Sequence, residues 1–198
     1  DRRIDGLPPH VIARLGISRT FQNIRLIPAL SVLENVMLGR ALRVPESPLA
    51  AVFLPPKTRA QRARWISFAE EILDFMGLSD VAEVDATALP YGKQRAVEIA
   101  RAIATGAEVL LLDEPGAGMS TQEKQELSKT ILDLRARMQK TIVLIEHDMK
   151  MVLNLVDRVV VLDFGCQIAE GPPETIKVNP RVVEAYLGKV EAVPDAGN

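Results

Sequence analysis

The sequence predicts an α/β fold, with a mostly parallel sheet as its core and a helical subdomain inserted into that core. Three short aliphatic runs in the second half of the chain indicate strands, at Val109–Leu112, Ile142–Ile145 and Val159–Leu162. Each run is continuous rather than alternating, which is typical of strands buried on both faces of a sheet. Helical patterns separate the runs, and strands that alternate with helices favour a parallel sheet with helical crossovers.

Two capping patterns define the helices between these strands. Ser120 stands three residues before Glu123, and this capping box predicts a helix that runs to about Met138. Asp148 is well placed to cap a second helix, which we expect to extend through Val156.

The region from about 31 to 105 has a different pattern and no convincing strand. Ser31 and Glu34 form another capping box, and the helix that follows is expected to stop near Gly39. After a proline-rich loop from Pro45 to Pro56, apolar residues recur at helical spacing between Thr58 and Met76. We therefore predict core segments at 1–22 and 106–170, a helical subdomain at 23–105 and a C-terminal helical tail at 171–198.

Composition excludes several classes of protein. Hydrophobic residues make up 47% and charged residues 25% of the 198 residues, which is ordinary for a globular protein. The formal net charge of −2 gives no indication of a nucleic-acid partner. The single cysteine, Cys166, excludes an internal disulfide framework, and we expect its side chain to fill a small apolar space in a strand. No apolar run approaches the roughly 20 residues that a membrane-spanning helix needs.

Two adjacent carboxylates, Asp113 and Glu114, follow the first aliphatic run. Open α/β sheets bind ligands at the carboxyl ends of their strands, and alternation along a strand points neighbouring side chains in different directions. One carboxylate can then hold Mg²⁺, usually through water, while the other faces an attacking water molecule. On its own, the pair is better explained by a strand that runs into an acidic loop.

His147 follows the second aliphatic run, one residue after Glu146. If the two strands are parallel neighbours, His147 lies at the same sheet edge as the two carboxylates, where an imidazole can hydrogen-bond a terminal phosphate. A histidine at a strand–helix junction that serves structure alone is the alternative. His10, the other histidine, is expected in a short exposed helix after Pro8 and Pro9.

Two further segments could carry chemistry. Tyr91, Gly92 and Lys93 open a helix, and a helix N-terminus with a glycine favours anions. Lys93 and Arg95 in the first turn oppose the helix dipole unless an anion binds there, and two solvated cations are the alternative interpretation. A short strand beginning at Ile17 is expected to end in Gln22, whose amide could contact Mg²⁺ or water.

In this order and at this spacing, the segments resemble the four motifs that follow the phosphate-binding loop in ATPases of the ABC transporter family. Gln22 matches the Q-loop, 89–95 the signature motif, 109–114 the Walker B strand and His147 the H-loop. The stretches Gly6–Pro9, Arg19–Asn23, Leu30–Val36 and Ile168–Glu174 resemble, more narrowly, the ATP-binding subunits of branched-chain amino-acid importers.

The resemblance implies an ATP-hydrolysing subunit with ATP and Mg²⁺ as cofactors. It assigns Glu114 and His147 to catalysis; Gln22, Asp113, Tyr91, Gly92 and Lys93 to nucleotide binding; and Asp113 with Gln22 to Mg²⁺, partly through water. It further implies a head-to-tail pair of nucleotide-binding subunits in which Tyr91, Gly92 and Lys93 contact the partner's ATP. The expected partners are membrane permease subunits and, indirectly, a solute-binding protein, at the cytoplasmic face of the inner membrane and without nucleic acid.

The sequence departs from the family pattern in several places. The phosphate-binding loop G-x-x-x-x-G-K-[ST] does not occur, since neither Gly92-Lys93 nor Gly188-Lys189 has the required neighbours. In the family this loop precedes Gln22, so we expect its segment to lie before Asp1, and we expect the 198 residues alone to bind ATP poorly. Pro90, Lys93 and Ser120 stand where the general family has serine, glutamine and aspartate.

Two other functions are compatible with parts of this pattern. An ABC-type ATPase of DNA repair would share the motifs, but such proteins usually carry a long coiled coil between them and favour a basic surface. A truncated, non-catalytic interaction module would share the fold without the chemistry. A phosphate-binding loop upstream in the reading frame would distinguish truncation from degeneration.

Overall fold

The computed structural model describes residues 3–41 and 56–187. The predicted loop that starts at Pro45 and the end of the predicted tail, 188–198, lie outside the described residues. The chain divides into two compact units, Asp1–Glu146 and His147–Asn198. The domain boundaries expected from the sequence stay predictions.

The first unit holds a parallel sheet and the longer helices. In chain order its elements are α1 (Pro9–Arg14), β1 (Ile17–Arg19), α2 (Val32–Ala41), α3 (Pro56–Phe75), two 3₁₀ turns (Ser79–Val81 and Ala86–Ala88), α4 (Tyr91–Ala104), β2 (Val109–Asp113), α5 (Thr121–Met138) and β3 (Thr141–Ile145).

The sheet of the first unit is parallel, in the order β1-β2-β3, as the sequence predicts. Val109 of the central strand pairs with Ile17 on one side and Thr141 on the other. In β2 the side chains of Leu110 and Leu112 are buried. The expectation that every aliphatic run is buried on both faces is wrong for β3, where Val143 and Ile145 are 47% and 54% exposed. It is also wrong for the run Val159–Leu162, where Val160 and Leu162 are 51% and 60% exposed.

Helices α2, α3 and α4 pack together as the predicted helical subdomain. Among the described residues between 31 and 105, the only β pairing is a single bridge between Ser31 and Asp85. Both partners of the Ser31–Glu34 capping box are present, with Ser31 N–H donating to Glu34 Oε2 at 2.9 Å and Glu34 N–H to Ser31 Oγ at 3.2 Å. Gly39 lies where α2 crosses α4, and a Cβ there would overlap the backbone oxygen of Arg101. The crossing is therefore close because the residue is glycine.

The capping box at Ser120 and Glu123 is confirmed, and α5 ends at Met138 as predicted. Hydrogen bonds from Ser120 hold the pKa of Glu123 below its ordinary value, so this carboxylate stays ionised. His10 lies on the short exposed helix α1, also as predicted.

The second unit differs more from expectation. It contains α6 (Met149–Leu153), β4 (Val159–Asp163), β5 (Cys166–Gly171), α7 (Pro173–Lys177) and α8 (Pro180–Leu187). Asp148 caps α6 by accepting the N–H of Met151 at 3.1 Å, but the helix ends at Leu153, before the predicted Val156.

The third predicted strand does not join the parallel sheet in the described part of the chain. Instead β4 pairs antiparallel with β5. The turn between them places Phe164 and Gly165 at φ 43° and 78°, the backbone of a tight hairpin in which both central residues are left-handed. Phe164 at the first of these positions lacks the usual Asn or Asp signal, so the hairpin could not be read from the sequence. Cys166 is exposed in β5, and its predicted buried position is wrong.

Candidate functional site

The carboxyl edge of β2 carries Asp113, and the chain that leaves β1 is tied to it. Thr20 donates its N–H to the Leu111 carbonyl at 2.9 Å, and its hydroxyl accepts the Asp113 N–H at 3.2 Å. Arg19 Nη2 donates to Asp113 Oδ2 at 2.7 Å. A cation of this chain therefore already neutralises part of the Asp113 charge, which no pattern in the sequence indicates.

Glu114 and Gln22 meet at the same edge. Gln22 Nε2 donates a hydrogen bond to Glu114 Oε2 at 2.9 Å, across 92 positions of sequence. Strand β1 ends at Arg19 rather than at Gln22, so Gln22 lies on the loop that follows the strand. Gln22 is exposed and Glu114 is half-buried, so both side chains have some contact with solvent. The arrangement places an amide and a carboxylate where a water molecule could be activated.

The backbone of Glu114 is held in an uncommon conformation. Its φ is 43°, in the left-handed region that costs a residue with a side chain about 1 kcal/mol or more. Its N–H donates to the Ile145 carbonyl at 2.8 Å, and its own carbonyl accepts the Ala117 N–H at 3.1 Å. Glu146 Oε1 accepts the Gly116 N–H at 2.9 Å. These bonds fix the turn that aims the Glu114 side chain.

Arg95 is wholly buried beneath the Gln22 loop. Its Nη1 and Nη2 donate to the carbonyl oxygens of Phe21 and Gln22, each at 2.6 Å. Nη1 also donates to Glu98 Oε2 at 2.8 Å, and the two side chains are 0% and 2% exposed. Both interpretations that the sequence allowed for Arg95, a solvated cation or an anion ligand, are therefore wrong.

The start of α4 packs against the segment that follows β2. Tyr91 is 44% exposed, and a Cβ added at Gly118 would come within 3.2 Å of its ring. A Cβ at Gly92 would overlap the carboxylate of Glu123, so this glycine faces an ionised acid in the structure. Lys93 Nζ pairs with Asp80 Oδ2 at 3.3 Å.

The structure thus brings some of the expected site residues together. Gln22 contacts Glu114 directly, Asp113 precedes Glu114 at the sheet edge, and Tyr91 Oη lies 3.5 Å from Arg95 Nη2. His147 opens the second unit, and its expected role stays a prediction.

Reasoning from the sequence missed three residues of the site, Arg19, Glu98 and Glu146, and it misjudged the burial of Arg95. A signal existed for the buried pair, since Arg95 and Glu98 are three apart on an otherwise apolar helical face. Arg19 and Glu146 gave none, because their partners lie far away in sequence.

Comparison with known proteins identifies the family. The family described as ABC transporter matches residues 4–117, and the one described as branched-chain amino acid ATP-binding cassette transporter matches residues 166–192. In the described part of the chain, no helix is both long and apolar enough to cross a membrane.

Individual relatives agree with this match over nearly the whole chain. The high-affinity branched-chain amino acid transport ATP-binding protein BraF of Pseudomonas aeruginosa is 40% identical over 186 residues, covering 94% of this chain and 73% of the relative. Its counterpart LivG of Escherichia coli K12 is 40% identical over 189 residues, covering 96% and 74%.

Solved structures give the same result for the fold. A structure of the ADP conformation of an ABC transporter's ATP-binding cassette is 31% identical, with a TM-score of 0.76, and covers 96% of this chain and 75% of that one. A nucleotide-free cassette is also 31% identical, with a TM-score of 0.74 over 95% and 75%. The chain therefore belongs to the ATP-binding domains of ABC transporters and is homologous to branched-chain amino acid transport ATP-binding proteins.

Proposed function

We propose that this chain is the ATP-binding subunit of an ABC importer and couples ATP hydrolysis to the uptake of a small solute, a branched-chain or related amino acid. The observation that carries the proposal is the 2.9 Å bond between Gln22 Nε2 and Glu114 Oε2 at the carboxyl edge of a parallel sheet. A chain that binds ATP at this edge has, in Glu114, a carboxylate placed to polarise an attacking water. The solute follows from the names of the relatives.

Each site residue has a part in this scheme. Glu114 accepts a proton from the water that attacks the γ-phosphate, and Gln22 orients Glu114 while sensing the nucleotide. His147 hydrogen-bonds the γ-phosphate. Tyr91, Gly92 and Lys93 meet the ATP of a second subunit arranged head to tail, a contact that requires the Glu123 carboxylate to leave Gly92.

The residues at the sheet edge suit Mg²⁺. Asp113 and Gln22 offer a carboxylate and an amide oxygen, which are ligands that Mg²⁺ prefers. The described residues gather no cluster of three or more His, Cys, Asp or Glu side chains. Phosphate oxygens and water would complete the shell, as is usual for Mg²⁺ bound with a nucleotide. When bound, the ion would neutralise charge on the phosphates, and it would share the Asp113 carboxylate with Arg19.

A groove in the helical subdomain is the surface that we assign to the permease. It has a volume of about 470 Å³ and combines apolar Leu33, Met37 and Ile66 with three acidic residues, Glu34, Glu83 and Asp85, and one basic residue, Arg62. Hydrogen bonds from the Thr87 hydroxyl and N–H hold the pKa of Asp85 below its ordinary value, so its charge persists. An amphipathic permease segment with basic residues would fit this lining. Such docking would hold the subunit at the cytoplasmic face of the membrane, with the solute-binding protein acting indirectly.

The test is Glu114→Gln in the full-length protein. Because only the chemistry of the transition state is removed, we expect Mg-ATP binding to persist while kcat falls by roughly two orders of magnitude or more. Glu126→Gln, the same change on an exposed face of α5, is the matched control and should hydrolyse ATP normally.

Hydrolysis by Glu114→Gln at a rate near that of wild type would show that another group activates the water. Co-purification of the wild type in detergent tests the transport role. A full-length protein that stays free of permeases and binds duplex DNA would replace that role with one in DNA repair.

A further inference from the structure

The buried ion pair of Arg95 and Glu98 has no evident use in stability. Replacing a buried ion pair by apolar residues of similar volume is often neutral or favourable, since desolvation costs each charge several kcal/mol. In the described part of the chain, Arg95 Nε is moreover the one buried side-chain nitrogen or oxygen that lacks a hydrogen-bond partner. A buried polar group left in that state calls for another explanation.

The hydrogen bonds that Arg95 makes supply that explanation. The two terminal nitrogens of Arg95 donate hydrogen bonds to successive carbonyl oxygens, those of Phe21 and Gln22, at 2.6 Å each. Glu98 Oε2 orients the guanidinium, and Glu98 Oε1 accepts the Phe21 N–H at 3.4 Å. The backbone of Phe21 and Gln22 is therefore fixed at three points, the Phe21 N–H and the two carbonyl oxygens. All three are held by side chains from one helical turn of α4.

We propose that Arg95, oriented by Glu98, is a positioning residue that fixes the backbone of Phe21 and Gln22 so that the Gln22 amide holds the Glu114 carboxylate. The inference rests on the proposed function for its effect on hydrolysis. It also connects the start of α4 to that carboxylate, because Tyr91 Oη lies 3.5 Å from Arg95 Nη2. Movement of Tyr91 when a second subunit engages would reach Glu114 through this one side chain.

The shape of the side chain makes the role specific to arginine. A guanidinium presents a rigid fork that can donate to two carbonyls and a carboxylate at once, whereas a lysine ammonium is a point charge on a flexible stem. Arg95→Lys should therefore keep the charge next to Glu98 but lose the pair of hydrogen bonds to the two carbonyl oxygens. The double variant Arg95→Met with Glu98→Leu removes both charges of the pair together, although the half-buried Arg101 then loses the attraction of Glu98.

The first experiment measures position without activity. Hydrogen exchange is followed by mass spectrometry in the full-length protein for the peptide that contains residues 20–24. We expect exchange there to rise about tenfold or more in Arg95→Lys and in the double variant. The control is a core variant of α5, Leu134→Ala or Ile131→Val, chosen to match the loss of Tm. Equal exchange in this peptide in the Arg95 variants and the control would overturn the proposal.

The second experiment measures coupling to hydrolysis. Arg95→Lys should lower kcat of Mg-ATP hydrolysis roughly 10- to 100-fold with little change in KM, as a small misplacement of a reacting group does. In a Gln22→Ala background the same substitution should have little further effect, because the amide through which it acts is gone. A purely structural role predicts additive losses in log kcat, and additivity refutes the positioning role. If the wild type hydrolyses no ATP, the proposed function fails while the exchange result still decides whether Arg95 positions the loop.

Discussion

Gly39→Ala tests the close helix crossing on which α4, and with it the Arg95 network, depends. In an isolated helix this change would stabilise by about 1 kcal/mol, because glycine loses more conformational entropy than alanine on folding. Here the new Cβ would overlap the Arg101 carbonyl oxygen and lie 3.0 Å from Ala104 Cβ.

The identity of the obstructing atom decides whether Gly39→Ala stabilises or destabilises the protein. The obstacle is backbone that is tied into α4, so α2 must shift, and overpacking of this kind costs about 1–3 kcal/mol. The net result should be a destabilisation of up to about 2 kcal/mol, or a fall in Tm of several degrees for a chain of this size. Thermal unfolding followed by circular dichroism is the assay.

Two controls sharpen this measurement. Ala104→Gly removes the nearest side-chain atom but leaves the carbonyl, so it should not restore the stability lost in Gly39→Ala. Gly77→Ala meets no atom within 4 Å and should cost only the strain of its φ of 65°. A Gly39→Ala protein with a Tm clearly above that of wild type, as in an isolated helix, would refute the close crossing.

The remaining predictions concern the cap of α5 and nucleotide binding. Ser120→Ala should lower Tm by roughly 2–4 °C, as loss of a helix cap does in a chain of this size. The pKa of Glu123 is lower in the folded protein than in the unfolded one. The ionised carboxylate therefore stabilises the fold at pH values above 4.5, the ordinary pKa, and this stabilisation is lost as pH falls through the folded pKa. Glu123→Gln should therefore be less stable than wild type in urea at pH 7, and the difference should shrink progressively as pH falls below 4.5; a difference that stays constant in acid would contradict this. Calorimetric titration of the 198 residues alone with Mg-ATP should show no micromolar binding, since they lack G-x-x-x-x-G-K-[ST].

Local patterns predicted most of the elements, and contacts distant in sequence account for what they missed. The capping boxes at Ser31 and Ser120 and the aliphatic run at Val109 depend on neighbours within a few residues, and the structure confirms all three. The pairing of Val159–Asp163 depends on a partner strand beyond a turn, and a continuous aliphatic run fits a hairpin as well as a parallel sheet.

The candidate site likewise divides into features predicted from local sequence and features that depend on distant contacts. Asp113 and Glu114 could be placed at a strand end because the strand itself was visible in the sequence. The bond from Gln22 to Glu114 spans 92 positions, and only the resemblance to a family suggested that these two residues belong together. The burial of Arg95 was harder to foresee, since an arginine is normally solvated and its spacing from Glu98 was the one indication of a buried pair.

The left-handed backbone at Glu114 has a consequence for protein engineering. A glycine would adopt a φ of 43° without the steric cost that Glu114 bears, so a procedure that optimises folding alone would replace this residue. Glu114→Gly would then be selected as an improvement by thermal stability and, under the proposed function, rejected by a screen for ATP turnover. Thermostabilised libraries of this domain should therefore hold position 114 constant.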